Sequence, residues 1–95
     1  MLYALICNDN PNSVAARTEN RPAHLEHLKG LGDTLKFAGP FLDDNGDPCG
    51  SLLVVEADNK KAAVAIGNAD PYAKAGIFAS VEARGWKWTV NNPEA

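Results

Sequence analysis

The chain predicts a single α+β domain in which strands and helices follow the order strand, helix, strand, strand, helix, strand. Three observations carry that expectation. Two short runs, Leu2–Cys7 and Gly50–Ala57, are apolar on both alternating faces, the mark of central strands covered on both sides. Two helical stretches start at residues suited to capping, Ser13 and Asn59. The last long segment, Ile77–Trp88, alternates and holds Phe78, Val81, Trp86 and Trp88, as a strand does.

Composition narrows the class. The 95 residues suffice for one thin-cored domain, and a hydrophobic fraction of 45% is ordinary for a soluble globular protein. The net charge of −3 argues against a nucleic-acid partner, which calls for a basic excess. No apolar run approaches the ~20 residues of a membrane span. Met1–Cys7 is apolar, but no basic residue precedes it and Asn8-Asp9-Asn10 stops it, so it reads as a strand and not a secretory signal. A cytoplasmic location is the expectation. Cys7 and Cys49 form no CxxC pair, and Cys7 in its apolar strand reads as a buried reduced thiol.

The elements follow in order. After Leu2–Cys7, Asn8-Asp9-Asn10-Pro11-Asn12 makes a turn. Ser13 caps a helix from Val14, expected to pause around Asn20-Arg21-Pro22 because proline disfavours helix in the residue before it. Pro22 suits the first turn of a second segment, with Ala23, Leu25, Leu28 and Leu31 as apolar surface and Gly30 and Gly32 at its end. Thr34–Ala38 is a short strand closed by Gly39-Pro40. Asp43–Pro48 is a polar hairpin loop. Gly50–Ala57 is the second doubly apolar strand. A small-residue helix runs from Asn59 to about Asn68-Ala69. Asp70-Pro71-Tyr72 opens a turn with one helical turn of its own, and Ile77–Trp88 is the last strand, bent at Gly85. The whole chain, 1–95, is one domain, with a tail from residue 89 expected to fray.

This order is the split βαβ arrangement of ferredoxin-like folds. Right-handed crossovers place both helices on one face of an antiparallel sheet. The other face would then be wet, yet two strands are apolar on both faces. A second copy of the chain, sheet against sheet, is the simplest cover, so a homodimer is expected.

The chemistry concentrates on the first helix. Arg17, Arg21 and His24 are four and then three residues apart and share one face. Two fixed cations there flank the side chain that exchanges protons near neutral pH. Asp70, just before a proline, is a carboxylate held in place. A His oriented by an Asp is a general-base arrangement, and the arginines would attract an anionic ligand. Plainer readings stand beside these. In these plainer readings, Asp70 caps the turn after Pro71, Arg17 and Arg21 form a solvated face, Asp9 forms a turn, and Tyr72 either lines a pocket or packs. His27 lies at a metal-ligand spacing from His24, but no third ligand completes the set and no cofactor is implied. Ser51 reads as a strand start, and Trp86 and Trp88 as packing.

Met1-Leu-Tyr-Ala-Leu-Ile, Arg17…Arg21-Pro-Ala-His24-Leu, Phe37-Ala-Gly-Pro40, Gly50-Ser51 and Ala69-Asp-Pro-Tyr-Ala-Lys-Ala-Gly-Ile-Phe78 together resemble the YciI (YCII-related) family of small bacterial proteins, over nearly the whole chain. The resemblance implies a dimeric α+β-barrel of ferredoxin-like protomers and an active site with a His–Asp pair, at His24 and Asp70. Where activity is assigned in that family, it is lyase- or dehydrochlorinase-like chemistry on small ring compounds. The chain departs from it in the short loop Asp43–Cys49. The expectation is a small homodimeric enzyme of lyase or isomerase type. His24 and Asp70 would be catalytic, with Arg17, Arg21, Asp9 and Tyr72 as ligand-binding residues for a small anionic or phenolic molecule. The alternative is a non-catalytic ligand-binding or sensor dimer of the same fold.

Overall fold

In the computed structural model, which describes residues 1–94, the elements are β1 (Leu2–Asp9), α1 (Val14–Gly30), β2 (Leu35–Leu42), β3 (Pro48–Glu56), α2 (Lys60–Asn68), α3 (Pro71–Lys74) and β4 (Phe78–Trp86). A 3₁₀ turn, Gly32–Thr34, joins α1 to β2. The strands form one antiparallel sheet in the order β2-β3-β1-β4, with the doubly apolar β1 and β3 at its centre. This is the α+β, ferredoxin-like βαββαβ fold.

Alternation decides what each face buries. Tyr3, Leu5 and Cys7 of β1 point to the helix side with Leu53 and Val55 of β3 and Ala83 of β4; Leu5 lies opposite both Leu53 and Ala83. Ala63, Tyr72 and Ile77 close that core. The approach of α2 to β4 is close, since a Cβ on Gly67 would lie 2.7 Å from Cγ1 of Val81. Asn59 caps α2 by accepting from the Ala62 amide at 2.8 Å.

Two elements extend beyond their expected limits. The helix does not pause at Asn20-Arg21-Pro22; α1 runs for 17 residues with Pro22 inside it. Thr18 and Pro22 are both exposed, so the carbonyl left without its i+4 partner is on the wet side. The buried residues Arg17 and His24, one on each side of the proline, anchor the helix through tertiary contacts. Likewise β2 continues through Gly39-Pro40 to Leu42. It is an edge strand, where proline's missing N–H removes no ladder bond on the open side. The loop at residues 43–47 is a tight turn in which the Asp43 carboxylate accepts from the amides of Asn45 and Asp47.

The sheet face away from the helices carries Leu2, Ala4 and Ile6 of β1, half-buried, beside Leu52 and Val54 of β3. Trp86 and Phe37 sit on opposite edges of the sheet, three inter-strand spacings apart, on the order of 14 Å. Their rings nonetheless meet at 5.7 Å, and Trp88 joins them at 5.1 Å from Phe37. The aromatic side chains therefore bridge this face at one end. The segment expected to fray continues the bridge: Trp88 Nε1 donates to the Val90 carbonyl, and Glu94 pairs with Lys36 of β2 at 3.1 Å. Ala95 lies outside the described residues.

Candidate active site

The site is built from α1, the start of α3 and the helix side of β1 and β3. Asp70 is the N-cap of α3, in extended conformation ahead of Pro71, and its Oδ1 accepts the Tyr72 amide at 2.9 Å. It is completely buried. Nδ1 of His24 lies 2.9 Å from each of its carboxylate oxygens. A carboxylate only accepts, so Nδ1 is the nitrogen that donates to it, and in the neutral imidazole the lone pair is then on Nε2. One carboxylate thus orders both a helix start and the imidazole.

Tyr72 supports the ring from its face. Its phenol stacks on the His24 imidazole with centroids 3.9 Å apart and planes within 3°. Its hydroxyl donates to the Arg17 carbonyl at 3.1 Å, and the Arg17 guanidinium lies 4.9 Å from its ring centre. Burial raises the Tyr72 pKa, against the opposing pull of Arg17 and Arg21, which keeps the phenol protonated as that bond requires. Arg17 and His24 are two helical turns apart, and both close on this one aromatic ring.

Arg17 is itself engaged. Its Nε and Nη2 donate to the two Asp9 carboxylate oxygens at 2.6 and 3.0 Å, and Nη2 also donates to Ser51 Oγ at 2.9 Å. The side chains of both partners are buried. Behind them, burial above all, with help from the Asp70 and Asp9 charges and against Arg17, pushes the Cys7 thiol up to about 12. Cys7 is a buried free thiol and Cys49 an exposed one.

A cavity of about 340 Å³ lies between α1 and the β2–β3 edge. Arg17, Thr18, Arg21, His24, Ser51 and Tyr72 supply its polar lining, and Val14, Leu25, Leu28, Pro40 and Leu53 are among its apolar walls. Its size and character suit one small ring with few polar substituents. Among the described residues no cluster of three potential metal ligands occurs.

The YCII-related domain matches this chain over residues 1–87 as a family profile. The chain belongs to that family. Protein YciI of Escherichia coli O6:H1 is 37% identical over 95 residues, covering 92% of this chain and 97% of the relative. An uncharacterised protein of Haemophilus influenzae is 33% identical over 95 residues, with the same coverage of both chains. Among solved structures, 5-chloro-2-hydroxyhydroquinone dehydrochlorinase from Burkholderia phenoliruptrix AC1100, in complex with 2,5-dihydroxybenzoquinone, is 33% identical. It matches with a TM-score of 0.82, covering 97% of this chain and 99% of that one.

In this YCII-related protein, the six residues singled out in the sequence converge, but on different tasks. His24 and Asp70 are directly bonded. Arg21 is exposed and lines the cavity, whereas Arg17 is locked to Asp9. Asp9 stands behind Arg17 and is not part of the cavity wall; Tyr72 lies on the wall and braces His24. Sequence reasoning missed Ser51 as a site residue. Its signal was a hydroxyl on the inner face of an otherwise apolar central strand, where a buried polar group needs a partner. No helix is long and apolar enough to cross a membrane among the described residues.

Proposed function

We propose that this protein is a small-molecule lyase or isomerase-type enzyme in which His24 and Asp70 abstract a proton from a small phenolic or anionic ring compound. One observation carries the reading: Nδ1 of His24 is 2.9 Å from both oxygens of the buried Asp70, on the wall of a ring-sized cavity. Nε2 accepts the proton of an acidic O–H or C–H. The freed electron pair forms a new π bond, and either a leaving group departs with its bonding pair or a proton returns at a different atom. Asp70 holds the base tautomer and stabilises the imidazolium as it forms. Arg21, exposed at the cavity and without an ion pair among the described residues, steadies the oxyanion that develops. The similarity to a dehydrochlorinase that acts on a chlorinated hydroxyhydroquinone supports the substrate class.

The working assembly in this reading is a homodimer joined through the sheet face that carries Leu2, Ala4, Ile6, Leu52 and Val54, and its setting is the cytoplasm, where Cys7 and Cys49 stay reduced. The test is chloride release from 5-chloro-2-hydroxyhydroquinone. Turnover that falls by about 10²–10⁴ in His24→Gln supports the reading. No turnover on this or other hydroxylated rings, with tight binding retained, would make the protein a ligand sensor instead.

A further inference from the structure

We infer that Ser51 of β3 and the free end of Arg17 form a second, donor-only arm of the cavity, which takes a carbonyl or phenolate oxygen of the ligand apart from the group that meets His24. The inference rests on reading the cavity as a ligand site and adds what the ligand must present there.

Ser51 is 4% exposed, yet it lines the cavity. Its Oγ accepts from Nη2 of Arg17 at 2.9 Å, which uses a lone pair and leaves the hydroxyl proton without an acceptor among the described residues. A hydroxyl has one proton to donate, and a buried donor is rarely left idle. Arg17 is in a similar state. A guanidinium has five N–H groups; Nε and Nη2 are committed to Asp9 and Ser51, and Nη1 makes no hydrogen bond among the described residues. Three donors on two fixed side chains therefore remain available at the inner wall.

These side chains are held in place before any ligand arrives. The bidentate Asp9 contact fixes the guanidinium, and the guanidinium fixes the serine rotamer. The strand is held as well: a Cβ on Gly50 would lie 2.5 Å from the Cys7 carbonyl oxygen, so β3 is drawn tightly against β1 beside Ser51. Asp9 also neutralises the Arg17 charge. The arm thus selects for a hydrogen-bond acceptor, while net attraction for an anion falls to Arg21.

On α1, Nε2 of His24 offers the complementary function, an acceptor. A matching ligand carries a proton-giving group toward His24 and an acceptor oxygen toward Ser51, on a ring that fills the apolar space between. Conjugated hydroxy-carbonyl and dihydroxy rings meet all three conditions. Monofunctional hydrocarbons and amines leave the Ser51 arm unpaired, and a site built to bond an oxygen discriminates strongly against analogues that lack it.

The test is a binding titration of wild type, Ser51→Ala and Ser51→Thr with 2,5-dihydroxybenzoquinone, followed by calorimetry. Ser51→Ala is expected to weaken binding about tenfold, the value of one hydrogen bond, and Ser51→Thr, which keeps the hydroxyl, to restore it. Circular dichroism of both variants separates this from misfolding. Equal affinity of wild type and Ser51→Ala overturns the inference. If the wild type does not bind the quinone, the proposed substrate class falls, and a crystal structure of the unliganded protein decides the donor arm by itself. A cavity water or buffer oxygen within about 3.2 Å of Ser51 Oγ supports the arm. A serine rotamer turned onto a protein carbonyl refutes it.

Discussion

Replacing Asp70 with Asn separates the structural and chemical duties of one carboxylate. Asp70 Oδ1 accepts the Tyr72 amide at 2.9 Å, and Asn caps helices as well as Asp, so the amide oxygen is expected to keep that bond and α3 to start where it does. The other amide atom then facing His24 Nδ1 is NH₂, a donor only. Oδ1 lies as close to Nδ1 as Oδ2 does, so in the variant the NH₂ protons crowd against Nδ1–H beside the retained oxygen. Moving the ring proton to Nε2 turns that clash into an N–H···Nδ1 bond and removes the lone pair from the cavity. The stability change is small. A hydrogen bond to a charged partner is worth about 1.5–3 kcal/mol and a neutral one about 0.5–1.5 kcal/mol, so the loss is about 1 kcal/mol, or a fall of about 4–8 °C in melting temperature at this chain length. Proton abstraction should fall far more, on the order of 10³–10⁴-fold, as expected when the base is locked in the wrong tautomer. The assay is a long-range ¹H–¹⁵N spectrum of the His24 ring, taken where the imidazole is neutral, alongside a thermal melt. The wild type should show Nδ1–H and Asp70→Asn should show Nε2–H. An Nδ1–H signal that persists in the variant, or an Nε2–H tautomer in the wild type, would refute the reasoning.

Iodoacetamide at pH 8 should modify Cys49 alone in the native protein, because Cys7 is buried with a thiol pushed up to about 12; two rapid modifications would contradict that. The same shift makes a stability claim. The folded thiol ionises near 12 and the unfolded one near 9.0, so its contribution is complete below pH 9 and is lost as pH rises toward 12. The slope is up to about 1.4 kcal/mol per pH unit, with the raised Tyr72 phenol acting in the same direction. Urea melts from pH 9 to 11 should show this decline, and Cys7→Ala should flatten it. Ile6→Lys, on the apolar sheet face, should convert a dimer to a monomer in light scattering; a wild type already monomeric at micromolar concentration would end the dimer proposal. Gly67→Ala should destabilise the fold by about 1–3 kcal/mol in a denaturant melt, because the added methyl meets Val81 at 2.7 Å.

Legibility in the sequence followed the range of the forces involved. The central strands were visible because burial on both faces leaves a doubly apolar run, as in Leu2–Cys7. The start of α2 was visible because Asn59 caps its own helix, an interaction three residues long. Asp70 before Pro71 announced itself for the same reason. Pro22 and Gly39-Pro40 misled because local preference was overridden: α1 is held across its proline by Arg17 and His24, and β2 lies at an edge where proline is tolerated. The bridge from Trp86 and Trp88 to Phe37 joins opposite sheet edges, which no local pattern reports.

By itself the sequence determined the order of elements, the shared face of Arg17, Arg21 and His24, and the presence of a fixed carboxylate at Asp70. Those are properties of spacing and backbone preference. Only the tertiary structure decided the partners. It gave Arg17 to Asp9 and left Arg21 exposed at the cavity, brought Asp70 across 46 residues to His24, laid Tyr72 against the imidazole, and turned Ser51 from a strand residue into part of the cavity wall. Ion pairing, stacking and hydrogen bonding depend on separations of a few ångströms and on the exclusion of water, and both are set only when the sheet brings distant segments together.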